Sequence, residues 1–250
     1  MGAEPMTTDL IGHRSRYTPP VNSEESDLRE ILHRSGRGAM AAKQYDMLDR
    51  SNSHSGTIPI YYAGDIDLLL RPCVAVIGTR KVSEIGKRRA NRFARELAEA
   101  GVVVVSGLAD GVDTQALGAA MTNGGKVVAV IGTPLDKAYP ANNAIFQEKI
   151  YRDHLLISQF PNGSRTFQSN FPARNRTMAA VSDGSVIIEA SESSGTLHQA
   201  AECVKLGRWL GISKGVVEDH RLTWPKKFLS YEKCIVLEST SSFIERIYSK

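Results

Sequence analysis

Cysteine is scarce in this chain: Cys73, Cys203 and Cys234 are the only three in 250 residues, and no two of them form a C-x-x-C pair. That usage excludes a disulfide framework and a zinc knuckle, and the three read as packing residues of a reducing compartment. No apolar run approaches the roughly 18 to 20 residues that span a bilayer. The opening MGAEPMTTDL also lacks the basic-then-apolar order of a secretory leader. No membrane association is expected, and the expected location is the cytoplasm. The six histidines, at 13, 33, 54, 154, 198 and 220, show no ligand spacing, so no metal is expected. Neither G-x-G-x-x-G nor G-x-x-x-x-G-K-[ST] occurs, which disfavours ordinary dinucleotide or P-loop nucleotide binding, and no cofactor is expected. Charge imbalance is slight, 31 − 27 = +4, too little by itself to argue for a polyanionic partner.

What is present is an ordinary globular composition, 42% hydrophobic and 23% charged, on a chain long enough for one α/β domain and a small appendage. Residues 1 to about 22 are polar and aperiodic and read as a mobile arm. SEESDLREILHR, from Ser23, reads as an amphipathic helix with Ser23 or Asp27 as N-cap and Gly36 marking its end. SNSHSG, residues 51 to 56, is a loop by composition, so residues 1–56 are expected to form an arm and a short helical segment.

From residue 73 short apolar runs alternate with helical periodicity: CVAVI (73–77), VVVV (102–105), VVAVI (127–131), LLI (155–157), SVIIE (185–189) and WLGI (209–212). Continuous apolar strands separated by helices predict an α/β fold, a Rossmann-like, mostly parallel sheet flanked by helices, over residues 57–214. Ala90, Phe93, Ala94, Leu97 and Ala98 fall on one face of the first crossover helix. Asp113 is expected to cap the next one. Residues 215–250 are expected to add a strand, KCIVLE, and a terminal helix, SSFIERIYSK, packing on or following the domain.

Between Arg80 and Arg95 seven basic residues face one acid, Glu84, a local +6. Lys87, Arg88, Arg92 and Arg95 fit a solvated helix face, whereas Arg80 sits just beyond a strand. Ligands of open parallel sheets bind there, where glycines let backbone N–H groups approach an anion. Four loops carry that equipment: Gly78-Thr79-Arg80, Ser106-Gly107, Gly132-Thr133 and Ser194-Gly195-Thr196. FPARNRTMAAVSDG places Arg174, Asn175 and Arg176 just before an expected helix, with both arginines able to reach the same crevice. Phe167, Phe171 and Tyr139 are loop aromatics suited to base stacking or to capping the core. No arrangement of nucleophile, base and orienting group stands out, so no catalytic residue is named.

These strings together resemble the DNA-processing protein A family (DprA, also called Smf). VAVIGTRKVSEIG is similar to its first strand and G-[ST]-R loop, VVSGLADGVDTQAL to its S-G-x-A-x-G-[IV]-D motif, and AVIGTPLDKAYPANN to its G-x-x-L-D-x-x-Y-P-x-x-N stretch. LISQFPNG, FPARNRTMAAVSD and VIIEASESSGTLHQAAECVKLGR follow in family order, and the resemblance covers roughly residues 57 to 214. It implies a protein that is not an enzyme, that binds single-stranded DNA in a basic pocket, commonly as a homodimer, and that helps load a RecA-type recombinase during natural transformation. Position by position it points to Arg80, Ser106, Gly107, Arg174, Arg176, Ser194, Gly195 and Thr196. Two positions depart from the pattern: Leu117 stands for a histidine and Gln159 for a glutamate, both expected at the pocket edge.

Two other readings use the same loops. Phosphoribohydrolases of the lysine-decarboxylase-like group carry R-K-x-x-M and P-G-G-x-G-T-x-x-E, of which residues 174–178 and 194–199 resemble diverged versions. Gln199 occupies the catalytic glutamate position, and an amide cannot act as a general base. A nucleotide-ligand sensor would need no catalytic residue at all.

Overall fold

The computed structural model describes residues 17–38, 58–192 and 194–249. In chain order these form β1 (Glu24–Asp27), α1 (Leu28–Arg34), β2 (Pro59–Gly64), β3 (Cys73–Ile77), α2 (Glu84–Glu99), β4 (Val103–Ser106), α3 (Val112–Thr122), β5 (Val127–Ile131) and α4 (Ala144–Asp153). The second half adds β6 (Leu155–Ser158), α5 (Asn170–Ala180), β7 (Gly184–Ile187), α6 (Thr196–Lys205), β8 (Trp209–Ser213), α7 (Lys214–Val217), β9 (Cys234–Leu237) and α8 (Thr240–Tyr248).

One sheet of nine strands among the described residues runs β1-β2-β6-β5-β4-β3-β7-β8-β9. Pairings are parallel from β6 to β9, and antiparallel where β2 joins β6 and β1 joins β2. The apolar strand runs are buried on both faces because helices cover both. Val74 and Val76 point into a core with Phe93 and Leu97 of α2, Leu117 of α3, Ile150 of α4 and Phe243 of α8. Cys73, Ala75 and Ile77 alternate to the other face, against Leu28 and Leu32 of α1, Met178 of α5 and Cys203 of α6. The expected face of α2 is the buried one.

Several local expectations are corrected. Glu24–Asp27 is an edge strand rather than the first helical turn, and Asp27 is the N-cap, accepting the Arg29 N–H at 3.0 Å. Ser23 therefore lies outside the helix. The second apolar run pairs as Val103–Ser106, one residue later than its apolar letters. Gly111 rather than Asp113 caps α3. The α5 helix starts at Asn170, so Arg174 and Arg176 lie within it and not before it.

Residues 1–16 of the expected arm and the loop at 51–56 lie outside the described residues. Tyr17 and Thr18 are tied to α4 and its approach: the Tyr17 hydroxyl donates to the Leu135 carbonyl (2.7 Å), and the Thr18 N–H donates to Glu148 (2.8 Å). At the centre of the sheet's lower edge, Asp183 accepts two bonds from Arg37 (2.6 and 2.8 Å), the Cys73 N–H (2.9 Å) and the Tyr248 hydroxyl (2.8 Å). That carboxylate joins the N-terminal segment, the sheet and the last helix.

Candidate functional site

From β3 the chain lays β4, β5 and β6 to one side, then returns to lay β7, β8 and β9 on the other. Loops after β3 and β7 therefore diverge, and such a switch point leaves a crevice where ligands of parallel sheets bind. A cavity of about 330 Å³ lies there, bounded by Gly78–Arg80, by Phe171, Arg174 and Asn175 of α5, and by Ser194–Thr196. A niche of about 40 Å³ adjoins it, sharing Arg80, Phe171 and Arg174 and adding Gly107, Gly132 and Tyr139. A larger open groove of about 750 Å³ runs beside β9 and α8, but there Arg246 stands with Glu238 and Glu245, and no basic groups converge.

The Gly78–Arg80 loop is pinned at its middle residue. The Thr79 N–H donates to the Glu189 carbonyl at 2.7 Å, and the Thr79 carbonyl accepts the Val112 N–H at 3.2 Å. Gly111, at φ +83°, lies against the Thr79 and Arg80 carbonyls, where a side chain would collide with backbone. The Glu189 carboxylate takes the Ser83 hydroxyl at 2.7 Å, while Ser83 caps α2 by accepting the Gly86 N–H at 3.0 Å. Arg80 is thus presented on the rim, exposed, with its guanidinium carbon 5.9 Å from the Phe171 ring centroid. Phe171 in turn stands 5.4 Å from the Tyr139 ring, half exposed itself, forming a cation-capped aromatic ledge.

Arg174 is 7% exposed and holds the floor together. Its Nη1 donates to the carbonyls of Gly107 and Val130 (the latter at 2.9 Å), bridging the ends of β4 and β5, and its Nε donates to Asn175 Oδ1 at 3.0 Å. Burial lowers its pKa and the nearby Asp113 carboxylate opposes that, so it stays a cation, as arginines do in proteins. Burial raises the Asp113 carboxyl, opposed by Arg174 and by the N–H groups of Ala109 and Gly107, which donate to it. Asp113 is the clamp of the loop after β4.

Gly78, Thr79, Arg80, Phe171, Arg174, Asn175, Ser194, Gly195 and Thr196 meet around the cavity, with Gly107 in the niche. The Ser194 hydroxyl donates to Thr196 Oγ1 (2.8 Å) and accepts the Thr196 N–H (3.2 Å), shaping the start of α6. Ser106, Arg176 and Phe167 border neither space. Ser106 is fully buried, its hydroxyl spent on the Val76 carbonyl at 2.7 Å. Arg176 is two residues from Arg174 on one helix and so faces away from it. Phe167 is 57% exposed and lies under Arg165. Leu117 is buried in the core beneath α3 rather than at the pocket edge. Gln199 is 1% exposed; with its amide turned to suit its neighbours it donates to the Asn175 carbonyl (2.6 Å) and accepts from Ser185 Oγ (3.2 Å), stapling α6 to α5 and β7. Glu189 and Asp113 matter to this geometry but were not assigned to it from sequence, whereas Tyr139 was already read as a candidate stacking aromatic. The Glu189 carboxylate meets a partner 106 residues away, and Asp113 clamps N–H groups four and six residues before it, a turn that its expected role as a helix cap concealed.

A family model described as DNA recombination-mediator protein A matches residues 40–247. The chain belongs to this family. It is 41% identical over 171 residues to the DNA processing protein DprA of Streptococcus pneumoniae, covering 68% of this chain and 60% of that one. It is 37% identical over 145 residues to the protein Smf of Synechocystis, covering 56% of this chain and 36% of that one. The chain thus spans between about a third and two thirds of these relatives' length. Among solved structures, DprA of S. pneumoniae superposes with a TM-score of 0.70 at 35% identity, covering 77% of this chain and 68% of that one. DNA processing protein A of Helicobacter pylori, whose structure concerns its single-stranded DNA binding mode, superposes at 0.67 and 30% identity, covering 75% and 86%. A molybdenum cofactor binding protein of Rippkaea orientalis, at 0.50 and 17% identity over 71% of this chain and 95% of that one, shares the fold alone. No helix among the described residues is long and apolar enough to cross a membrane.

Proposed function

We propose that this chain is a single-stranded-DNA-binding protein of DNA processing, acting in the cytoplasm as a homodimer and assisting the loading of a RecA-type recombinase in natural transformation. The observation that carries the reading is the ledge of Arg80, Phe171 and Tyr139 over the strand-end crevice. Arg80 offers a charge to a phosphate, and the half-exposed Tyr139 ring, with the partly exposed Phe171 beside it, offers a π-face to an unstacked base. A duplex keeps its bases stacked and cannot use that face. Family membership and the single-stranded DNA binding of the H. pylori relative support the same reading. The chain is read as a binder rather than an enzyme, because Gln199 is a buried structural amide with no carboxylate in its place.

The test is fluorescence anisotropy of a labelled oligonucleotide, single-stranded against duplex of equal length, across a salt series and with a nucleoside monophosphate as competitor. Preference for the single strand, a steep salt slope and weak competition are expected. Tight mononucleotide binding without oligonucleotide binding would contradict the reading in favour of a nucleotide sensor, since a cavity of about 330 Å³ is large enough for a small ligand.

A further inference from the structure

The basic run from Arg80 to Arg95 is only partly taken up by the crevice. Arg88, Arg92 and Arg95 are exposed along α2, outside the ledge, and form one wall of a groove of about 510 Å³. Its floor is the outward face of α3, where Gln115, Gly118, Ala119 and Thr122 recur at helical spacing. Phe146 and Lys149 of α4 form the opposite wall.

Three features of this groove point to one kind of occupant. The floor is open at its centre, where Gly118 and Ala119 lie between Gln115 and Thr122: at Gly118 an added Cβ would meet nothing nearer than the Phe146 ring edge at 4.0 Å, so another backbone can approach closely. The walls carry cations on both sides, and no acidic residue lines the groove. Those cations are weakly engaged: Arg92 and Arg95 reach Glu96 and Glu99 on their own helix at 3.9 and 3.5 Å, and Arg88 makes no hydrogen bond or ion pair among the described residues. Phe146 is 8% exposed, so no aromatic face is offered to a nucleic-acid base, which sets this groove apart from the Arg80–Phe171 ledge.

We propose that this groove docks an acidic amphipathic helix of a partner protein. Small apolar side chains at i, i+3, i+4 and i+7 of that helix would lie on α3. Its flanking carboxylates would meet Arg88, Arg92 and Arg95 on one side and Lys149 on the other. The span from Arg88 to Arg95, at about 1.5 Å per residue, holds about two turns.

The test uses the full chain and a fluorescein-labelled peptide of about 15 residues, long enough to hold a helix, with Ala and Leu on one face and Glu on its flanks. A scrambled peptide of the same composition and a labelled oligonucleotide serve as comparisons. Wild-type protein is expected to bind the amphipathic peptide and to bind the scrambled one roughly tenfold more weakly. Gly118→Leu, which fills the floor, and the exposed double substitution Arg88→Glu/Arg92→Glu should each weaken peptide binding by about tenfold or more, with oligonucleotide affinity unchanged. Arg80→Ala should do the reverse. Equal binding of both peptides, or of neither, overturns the proposal. So does a loss of oligonucleotide affinity in the charge-reversed variant, which would make the groove a nucleic-acid track. A change in that variant's sedimentation mass would assign it instead to a second copy of this chain.

Discussion

Gly107 has no side chain because the Arg174 guanidinium occupies the place where one would go. Gly107→Ala forces that buried cation off the carbonyls of Gly107 and Val130, and overpacking of this kind costs about 1–3 kcal/mol. A lower urea midpoint at unchanged slope checks it. Gln199 tests whether the crevice is one substitution away from hydrolysis. In Gln199→Glu one carboxylate oxygen would face the Asn175 carbonyl in a fully buried position and be repelled there, although Ser185 Oγ and the Ala179 N–H still donate to the other. The expected result is destabilisation by roughly 1–3 kcal/mol near neutral pH, with no free base released from nucleoside monophosphates in a chromatographic assay. Appearance of base would restore the hydrolase reading.

Among the elements, the interior strands and α2 were legible because their signals are local: unbroken apolar runs, and apolar residues every three to four positions on a helix. The edge strand β1 was not, since EESD is polar and is a strand only through its pairing with β2. At the crevice, the glycines and Arg80 were legible from their place beyond strands. Arg174 was found for its charge, but its role was not readable: its carbonyl partners lie 67 and 44 residues away. The Arg37–Asp183 pair is a similar long-range tie between elements. Asp183→Ala leaves the Arg37 guanidinium, whose side chain is 5% exposed, without its carboxylate and releases Cys73 and Tyr248. A loss of about 3–5 kcal/mol is expected from breaking such a buried pair, read as a fall in melting temperature.

For the molecule as a whole, the proposed binding groups lie at one end of the sheet and the Asp183 cluster at the other. The lower end holds Asp183 and the chain's ties, the upper end the loops with their exposed charge. Acid should act on the fold partly through His154, buried where α4 meets β6, whose pKa burial pushes down from 6.5 to about 4. The folded state keeps this imidazole neutral, while the unfolded chain takes up a proton below about 6.5. Its contribution is therefore complete above that pH and is lost as pH falls toward 4. His154→Gln should flatten the decline of unfolding free energy between those values in denaturant titrations, and an unaltered decline would exclude His154 as its source.

On the proposed function, the Arg80 rim of the crevice holds the phosphates of a single strand. The most direct test is the affinity for a single-stranded oligonucleotide measured against salt for wild type and Arg80→Ala. Arg80→Ala is expected to bind every sequence more weakly, with a slope of log affinity against log salt shallower by about 0.7, the value for one lost phosphate contact on a single strand. The same affinity and the same slope in both proteins would contradict it.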